Sequence, residues 1–221
     1  MVMWRFCKHP YHSALKNNSI EQSDSKDRVA INGSIAFTYD VMSGKQLPFE
    51  YDACDVLYAE IPWKHGFDIF NSRADIANGI TQETKWRRYD DFLLRILQIA
   101  QSSKKPTFLP GGQFFSSYLI KHNAKEMFIK YPIMLNNGQA WIYCANLDNP
   151  FNWLFLDKYD THTSTVTLIA DLAQRFERVG DFMCGYGTTG RIFMMNKKKF
   201  VMSDYNSKCI GYIADVAKNW K

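Results

Sequence analysis

Apolar residues in this chain follow two alternating rhythms: short unbroken runs and repeats every three to four positions. Asp55-Val-Leu-Tyr-Ala59 and Phe200-Val-Met-Ser-Asp204 are of the first kind, the mark of a parallel strand buried on both faces. Ser34-Ile-Ala-Phe-Thr-Tyr39, ended by Asp40 and the turn signal Ser43-Gly-Lys45, and Pro106-Thr-Phe-Leu-Pro-Gly-Gly112 also have strand character. Phe92, Leu93, Ile96, Leu97 and Ala100 recur at i, i+3 and i+4 and predict a helix over Tyr89 to Gln101. Leu168, Ile169, Leu172 and Phe176 predict another over Thr165 to Arg178, with shorter helices expected around Asp68 to Asn78 and Phe114 to His122. Glu126 to Tyr131 and Gln139 to Ala145 read as strands joined across the hairpin signal Asn136-Asn-Gly138. Strands alternating with helices and giving way to a hairpin predict an α/β fold with a mostly parallel sheet and an antiparallel edge hairpin.

Two stretches fit neither rhythm. Residues 1–28 mix Trp4, Phe6 and Tyr11 with an aperiodic polar run and read as an arm and linker preceding a single domain over 29–221. Asp148 to His162 is irregular and aromatic, with Phe151, Trp153, Phe155 and Tyr159, which suits a platform for a planar substrate or a packed lid.

The sharpest chemical signal is Val179-Gly-Asp-Phe-Met-Cys-Gly-Tyr-Gly-Thr-Thr-Gly190. A hydrophobic lead-in ends at Asp181, and Gly185 and Gly187 allow a tight turn beneath a bound anion. A helix starting at Thr188 or Thr189 would aim its free amides at that anion. The next expected strand ends at Asp204, a carboxylate placed to take both hydroxyls of a ribose, so the stretch predicts an adenosine-containing cofactor. Gly185, Gly187 and Gly190 also satisfy the dinucleotide pattern G-x-G-x-x-G. Only Asn206 to Lys221 follow, room for one helix, which is expected to disfavour a dinucleotide fold with its further strands.

At 221 residues, 46% of them hydrophobic and 15% aromatic, the chain suits one well-buried domain and excludes wholesale disorder. It has no apolar run of membrane-spanning length and no apolar signal core at its start, so a cytoplasmic protein without membrane contact is expected. Five scattered cysteines predict reduced thiols. Cys7-Lys-His9-Pro-Tyr-His12 lacks a second ligand pair, so no metal is expected. The net charge of +5 is compatible with a polyanionic partner.

Asp181-Phe-Met-Cys-Gly-Tyr-Gly-Thr-Thr189, taken with Tyr58-Ala-Glu-Ile-Pro-Trp63, resembles the S-adenosylmethionine-dependent methyltransferases that modify exocyclic amines of DNA bases. The order, catalytic strand first and cofactor loop last, is that of the permuted β group of that family. The resemblance covers about residues 34–220 and implies a Rossmann-like methyltransferase sheet. It places S-adenosyl-L-methionine on Asp40, Asp181, Cys184, Gly185, Gly187, Thr188, Thr189 and Asp204, and the target amine on Glu60, Pro62 and Trp63. It implies transfer to adenine N6 before cytosine N4; action on RNA or a modified base, or an inactive cofactor-binding regulatory subunit, are the alternatives. Where the family has Asp-Pro-Pro-Trp, this chain has Glu60-Ile-Pro-Trp63, and Ile61 in place of proline is expected to loosen the backbone beside the acid. The family's target-recognition domain has only Asn146 to Thr165 in its place, so specificity is expected either to be low or to come from the N-terminal arm, the second subunit of a homodimer or an accessory specificity subunit. Lys64, Arg87, Arg88 and Lys121 are expected on the DNA backbone.

Overall fold

The computed structural model describes residues 28–44, 46–79, 89–135, 138–148 and 150–220. Among them, eight strands form one sheet: β1 (Arg28–Ile31), β2 (Ser34–Thr38), β3 (Val56–Tyr58), β4 (Thr107–Gly111), β5 (Ile129–Leu135), β6 (Gly138–Ala145), β7 (Arg178–Asp181) and β8 (Lys199–Asp204). The helices are α1 (Lys64–Ala77), α2 (Tyr89–Ser103), α3 (Gln113–Lys121), α4 (Thr165–Arg175), α5 (Thr188–Met195) and α6 (Ser207–Val216). Among the described residues, none is long and apolar enough to cross a membrane.

The spatial order is β1-β2-β8-β7-β3-β4-β6-β5. From β2 to β4 the neighbours are parallel. β6 runs against β4, and β5, antiparallel to β6, points with the central strands. The predicted α/β class, mostly parallel with an antiparallel edge hairpin, is therefore present. The chain leaves β7 through α5 for β8 on one side and leaves β3 through α1 and α2 for β4 on the other. The crevice between the carboxyl ends of β7 and β3 is thus the switch point, where ligands of open α/β sheets sit.

The apolar runs follow from burial on both faces. Val56, Tyr58, Val179, Phe200 and Met202 face a core closed by Leu168 and Leu172 of α4, Phe193 of α5 and Ile210 of α6. Leu57, Leu109 and Val201 face a second core with Leu93 and Ile96 of α2 and Phe115 of α3.

Four boundaries depart from expectation. β1, a strand not expected from the sequence, begins at Arg28, the last residue of the stretch expected to be linker; its signal was Asn32-Gly33, both at positive φ, a hairpin turn of the Asn-Gly kind. α1 starts directly after Trp63, because Phe67, Phe70, Asn71 and Ala74 lay one face on the sheet's carboxyl edge. β5 continues through Pro132 to Leu135, which an edge strand tolerates since alternate N–H groups point away from the sheet. α4 stops at Arg175: the N–H groups of Glu177 and Arg178 both donate to Asp55 Oδ2, at 3.0 and 2.8 Å, and draw the chain into β7.

The aromatic stretch after β6 is a packed closure. It forms a 3-10 run over Pro150–Lys158, and Trp153, Leu156 and Tyr159 are buried. Trp153 stacks on Phe176 with ring centroids 5.9 Å apart, and Tyr159 donates to Asp171 at 2.7 Å. Residues 1–27, Asn136, Asn137 and the side chain of Phe151 lie outside the described residues. Cys54, Cys144, Cys184 and Cys209 are buried free thiols, and Cys7 lies outside the described residues.

Candidate functional site

Three adjacent strands end in an acid on one face. Alternation along a strand puts every second residue on the same side, and the series Val56-Tyr58-Glu60, Val179-Asp181 and Phe200-Met202-Asp204 each pass from apolar residues to a carboxylate. Register aligns them: Tyr58 pairs with Asp181, and Asp181 with Met202. Glu60 and Asp204 therefore stand level, two residues beyond Asp181, on the strands flanking it. Asp40 follows β2, whose Thr38 pairs with Asp204. All four acids line one cavity of about 470 Å3.

The glycine-rich loop forms the floor of this cavity. Gly185 and Gly187 have φ of 50° and 83°, the left-handed region where a side chain is strained. Gly187 caps the N-terminus of α5. The loop is held by hydrogen bonds from Cys184 N to Ser203 O (3.0 Å), Gly187 N to Cys184 O (2.9 Å) and Gly185 N to Asp204 Oδ2 (2.8 Å). Asp204 Oδ1 accepts from Asn206 N at 2.8 Å. Each carboxylate oxygen has a further lone pair for a ligand hydroxyl. A Cβ at Gly185 would meet nothing within 4 Å, so the space above that turn is open.

Crowding acids in a buried crevice disfavours their charged forms. Burial raises Glu60 to about 7. Burial likewise raises Asp181 to about 7, with the Thr189 hydroxyl and the Met183 N–H pulling it down and the fields of Asp204 and Glu60 adding to the rise. Asp204 is raised by burial against the opposing pull of the Asn206 and Gly185 amides. Among the described residues nothing hydrogen-bonds the Glu60 carboxylate, while Asp181 is tied to Met183 N at 3.1 Å. A pocket of this kind favours a cationic ligand, which would relieve the repulsion.

Of the expected site residues, Asp40, Glu60, Pro62, Asp181, Cys184, Gly185, Thr188, Thr189 and Asp204 line the cavity. Gly187 does not; it packs beneath the loop, where an added Cβ would lie 2.8 Å from Trp220 and 2.9 Å from Ile213. Trp63 is also outside the lining. It caps α1, is 47% exposed, and lies over the turn from β4 to α3. Lys64 is exposed on the first turn of α1 and lines no part of the cavity, while Arg87 and Arg88 lie outside the described residues.

Ile61 does not loosen the backbone beside Glu60. It is 1% exposed, and its N–H donates to Pro110 O at 2.7 Å, a bond proline could not make. With Ala59 N to Phe108 O at 3.1 Å, it extends the parallel ladder past the acid and makes the stretch presenting Glu60 more rigid. The Tyr89 hydroxyl fixes the next carbonyl, that of Pro62, at 2.9 Å.

Sequence reasoning missed two walls. One is α1, with Phe67, Phe70, Asn71, Arg73 and Ala74. Its end is latched to the β8–α6 turn by Asn78 Nδ2 to Tyr205 O (2.8 Å) and Tyr205 Oη to Asp75 Oδ1 (2.5 Å). The spacing of Phe67, Phe70, Asn71 and Ala74 was the signal. The other is the start of α4, with Thr165, Val166 and Ile169, announced by the N-cap Ser164, whose Oγ accepts from Thr167 N at 3.2 Å.

No family model matches this chain, and no curated protein matches it. Among solved structures, it is similar to the crystal structure of M1.HpyAVI at 11% identity, covering 83% of this chain and 98% of that one, with a TM-score of 0.44. A complex of M1.HpyAVI with SAM matches at 12% identity, covering 82% and 98%, with a TM-score of 0.45. The PvuII DNA methyltransferase, described as cytosine-N4-specific, matches at 9% identity, covering 80% and 84%, with a TM-score of 0.49. Superpositions this loose assign no role to any residue of this chain.

Proposed function

We propose that this chain is an S-adenosyl-L-methionine-dependent methyltransferase acting on an exocyclic amine of a DNA base, adenine N6 first. The observation that carries the reading is Glu60: a carboxylate without a hydrogen-bond partner among the described residues, facing the same cavity as the glycine-rich loop. The residues fit the cofactor. A sulfonium and an ammonium suit a crevice lined by four acids, a ribose diol suits Asp204, and Gly185 leaves open space over its turn. When bound, the cofactor supplies an electrophilic methyl group. Glu60, ionised, accepts an N–H of the target amine and takes up the proton released as nitrogen gains the methyl; a value about 7 suits that task near neutrality. The ladder bonds of Ala59 and Ile61 hold Glu60 in place, which matters where a displacement of ~1 Å is costly.

Calorimetric titration should show binding of S-adenosylmethionine, much weaker binding to Asp204→Ala, and none of NAD; equal affinity for both cofactors refutes the assignment. Glu60→Ala should remove methyl transfer to DNA and leave cofactor affinity nearly unchanged. Glu60→Asp, which shortens the reach by one methylene, should lose activity in a protein adapted to glutamate. One observation favours a second reading, an inactive cofactor-binding recognition subunit: Trp63 lies outside the cavity lining. A wild type that methylates neither DNA nor RNA and matches Glu60→Ala in every assay decides for that reading.

A further inference from the structure

The reaction proposed above needs a surface to hold the base whose amine meets Glu60, and Trp63 lies outside the cavity lining. α1 offers another ring. Phe70 lines the cavity and is 58% exposed. Phe67, one turn earlier, is buried against Tyr89 and Phe92, with ring centroids 5.4 and 4.8 Å away, and among the described residues Phe70 has no such partner.

Side chains of a helix lean toward its N-terminus, and this one follows the rule. A Cβ built on Gly66 would stand 3.4 Å from Phe70 Cε2 and 3.9 Å from Pro62 Cβ. The ring therefore lies back over the first turn of α1, close to Pro62 and the strand end that carries Glu60. The far end of α1, where Asn78 donates to Tyr205 O, stands by Asp204 instead. The other exposed ring of the lining, Tyr186, sits in the glycine-rich turn and is held edge to face on Tyr212 of α6, 5.3 Å between centroids. Phe70 is thus the open ring at the Glu60 end.

α1 and α4 approach the cavity from opposite faces of the sheet. Phe67 packs in the core with α2 and α3, Leu168 and Ile169 of α4 in the other. From α4, Val166, 53% exposed, lines the same cavity. The cavity thus has an aromatic wall on one side and a branched aliphatic wall on the other, with the carboxylates of the strand ends between them. Apolar walls suit the flat faces of a planar group, and a carboxylate suits an N–H on its edge; a nucleobase with an exocyclic amine has both.

We infer that Phe70, and not Trp63, is the ring on which the target base stacks while Glu60 accepts its amine. The inference rests on the methyltransferase reading for the identity of the base, and on the cavity alone for the place of the ring.

The test is binding to the full chain of a single-stranded oligothymidylate carrying one 2-aminopurine, an adenine analogue whose fluorescence falls when it stacks; a single strand removes the cost of unpairing. Wild type should quench the probe on binding. Phe70→Leu, which keeps the apolar bulk and loses the aromatic face, should weaken binding about tenfold and abolish the quench, whereas Phe70→Trp should retain both. Ile76→Ala, on the same helix, 61% exposed and outside the cavity lining, should bind like wild type. Affinity of Phe70→Leu for S-adenosylmethionine, read by calorimetry, should stay near the wild-type value. A wild type that neither binds nor quenches the probe, a Phe70→Leu variant that quenches like wild type, or a loss that appears in Trp63→Ala and not in Phe70→Leu, overturns the inference and leaves the cofactor reading intact. So does a loss of S-adenosylmethionine affinity as large as the loss of probe binding, which would put the ring on the cofactor. Quenching that depends on Phe70 in a chain that fails to bind S-adenosylmethionine supports the ring's role and removes the methyltransferase reading instead.

Discussion

Glu60 is the residue whose environment has the widest consequences. Its ordinary value of 4.5 is raised by burial to about 7 in the folded chain. The folded state therefore binds the proton more tightly than the unfolded state, and that contribution to stability is fully present below about 4.5 and is lost as pH rises through about 7. Glu60→Gln removes the charge at no cost in shape, so it should stabilise the fold by about 1–3 kcal/mol above that window and by nothing below it, measured by denaturant unfolding at both ends. The methyl transfer proposed above has the opposite dependence. It needs the ionised carboxylate, so the single-turnover rate should climb as pH rises through about 7 in wild type and stay flat and low in Glu60→Gln. Equal stability of the two proteins at both ends would mean that Glu60 is solvated after all.

At the scale of elements, the glycine-rich turn between β7 and α5 couples the cavity floor to the C-terminal helix. Gly187 has a φ of 83° and rests against Ile213 of α6 and Trp220. Gly187→Ala combines left-handed strain of ~1–2 kcal/mol with overpacking of ~1–3 kcal/mol. It should lower the thermal midpoint and weaken cofactor binding together, because the displaced α6 follows directly on the turn bearing Asn206. Gly211→Ala is the matching control: in the middle of the same helix, with nothing within 4 Å of an added Cβ, it should be neutral or stabilising by about 0.5–1 kcal/mol. Indistinguishable midpoints for the two variants would contradict the close packing under the turn. The repeats in α2 were readable because its apolar face is continuous, whereas α1 was read too short because its inward face mixes Phe67 and Phe70 with Asn71 and Arg73, the residues of a mixed polar and apolar cavity wall.

For the whole molecule, the sheet's switch point gathers strand ends from both halves of the sequence into one cavity, so a ligand there ties the halves together. S-adenosylhomocysteine at about 100 times its Kd should add roughly 2.7 kcal/mol, and for a chain of this length that raises the thermal midpoint by about 5–10 °C. Differential scanning fluorimetry should show the rise with S-adenosylmethionine and S-adenosylhomocysteine, a smaller one with Asp204→Ala, and none with NAD. A rise with NAD alone would point to dinucleotide chemistry.

Periodicity was enough to mark β3, β4, β8 and α2, because burial on two faces or on one helical stripe is written into consecutive residues. The turn at Gly185 and Gly187 was legible for a similar reason, since positive φ is a local demand that glycine meets. The acids were visible one at a time: Asp181 and Asp204 at the ends of runs, Glu60 before Ile61. What local pattern does not encode is pairing between distant segments. Register alone set Glu60 level with Asp204 on either side of Asp181. Ile61 tightened the backbone expected to loosen because Pro110 of a neighbouring strand offered its carbonyl. Trp153 went into the core because Phe176 and Phe108 lay beneath it, and Trp63 turned outward over Gly112. An aromatic residue is equally at home in a core or on a platform, and only its neighbours in space decide between them.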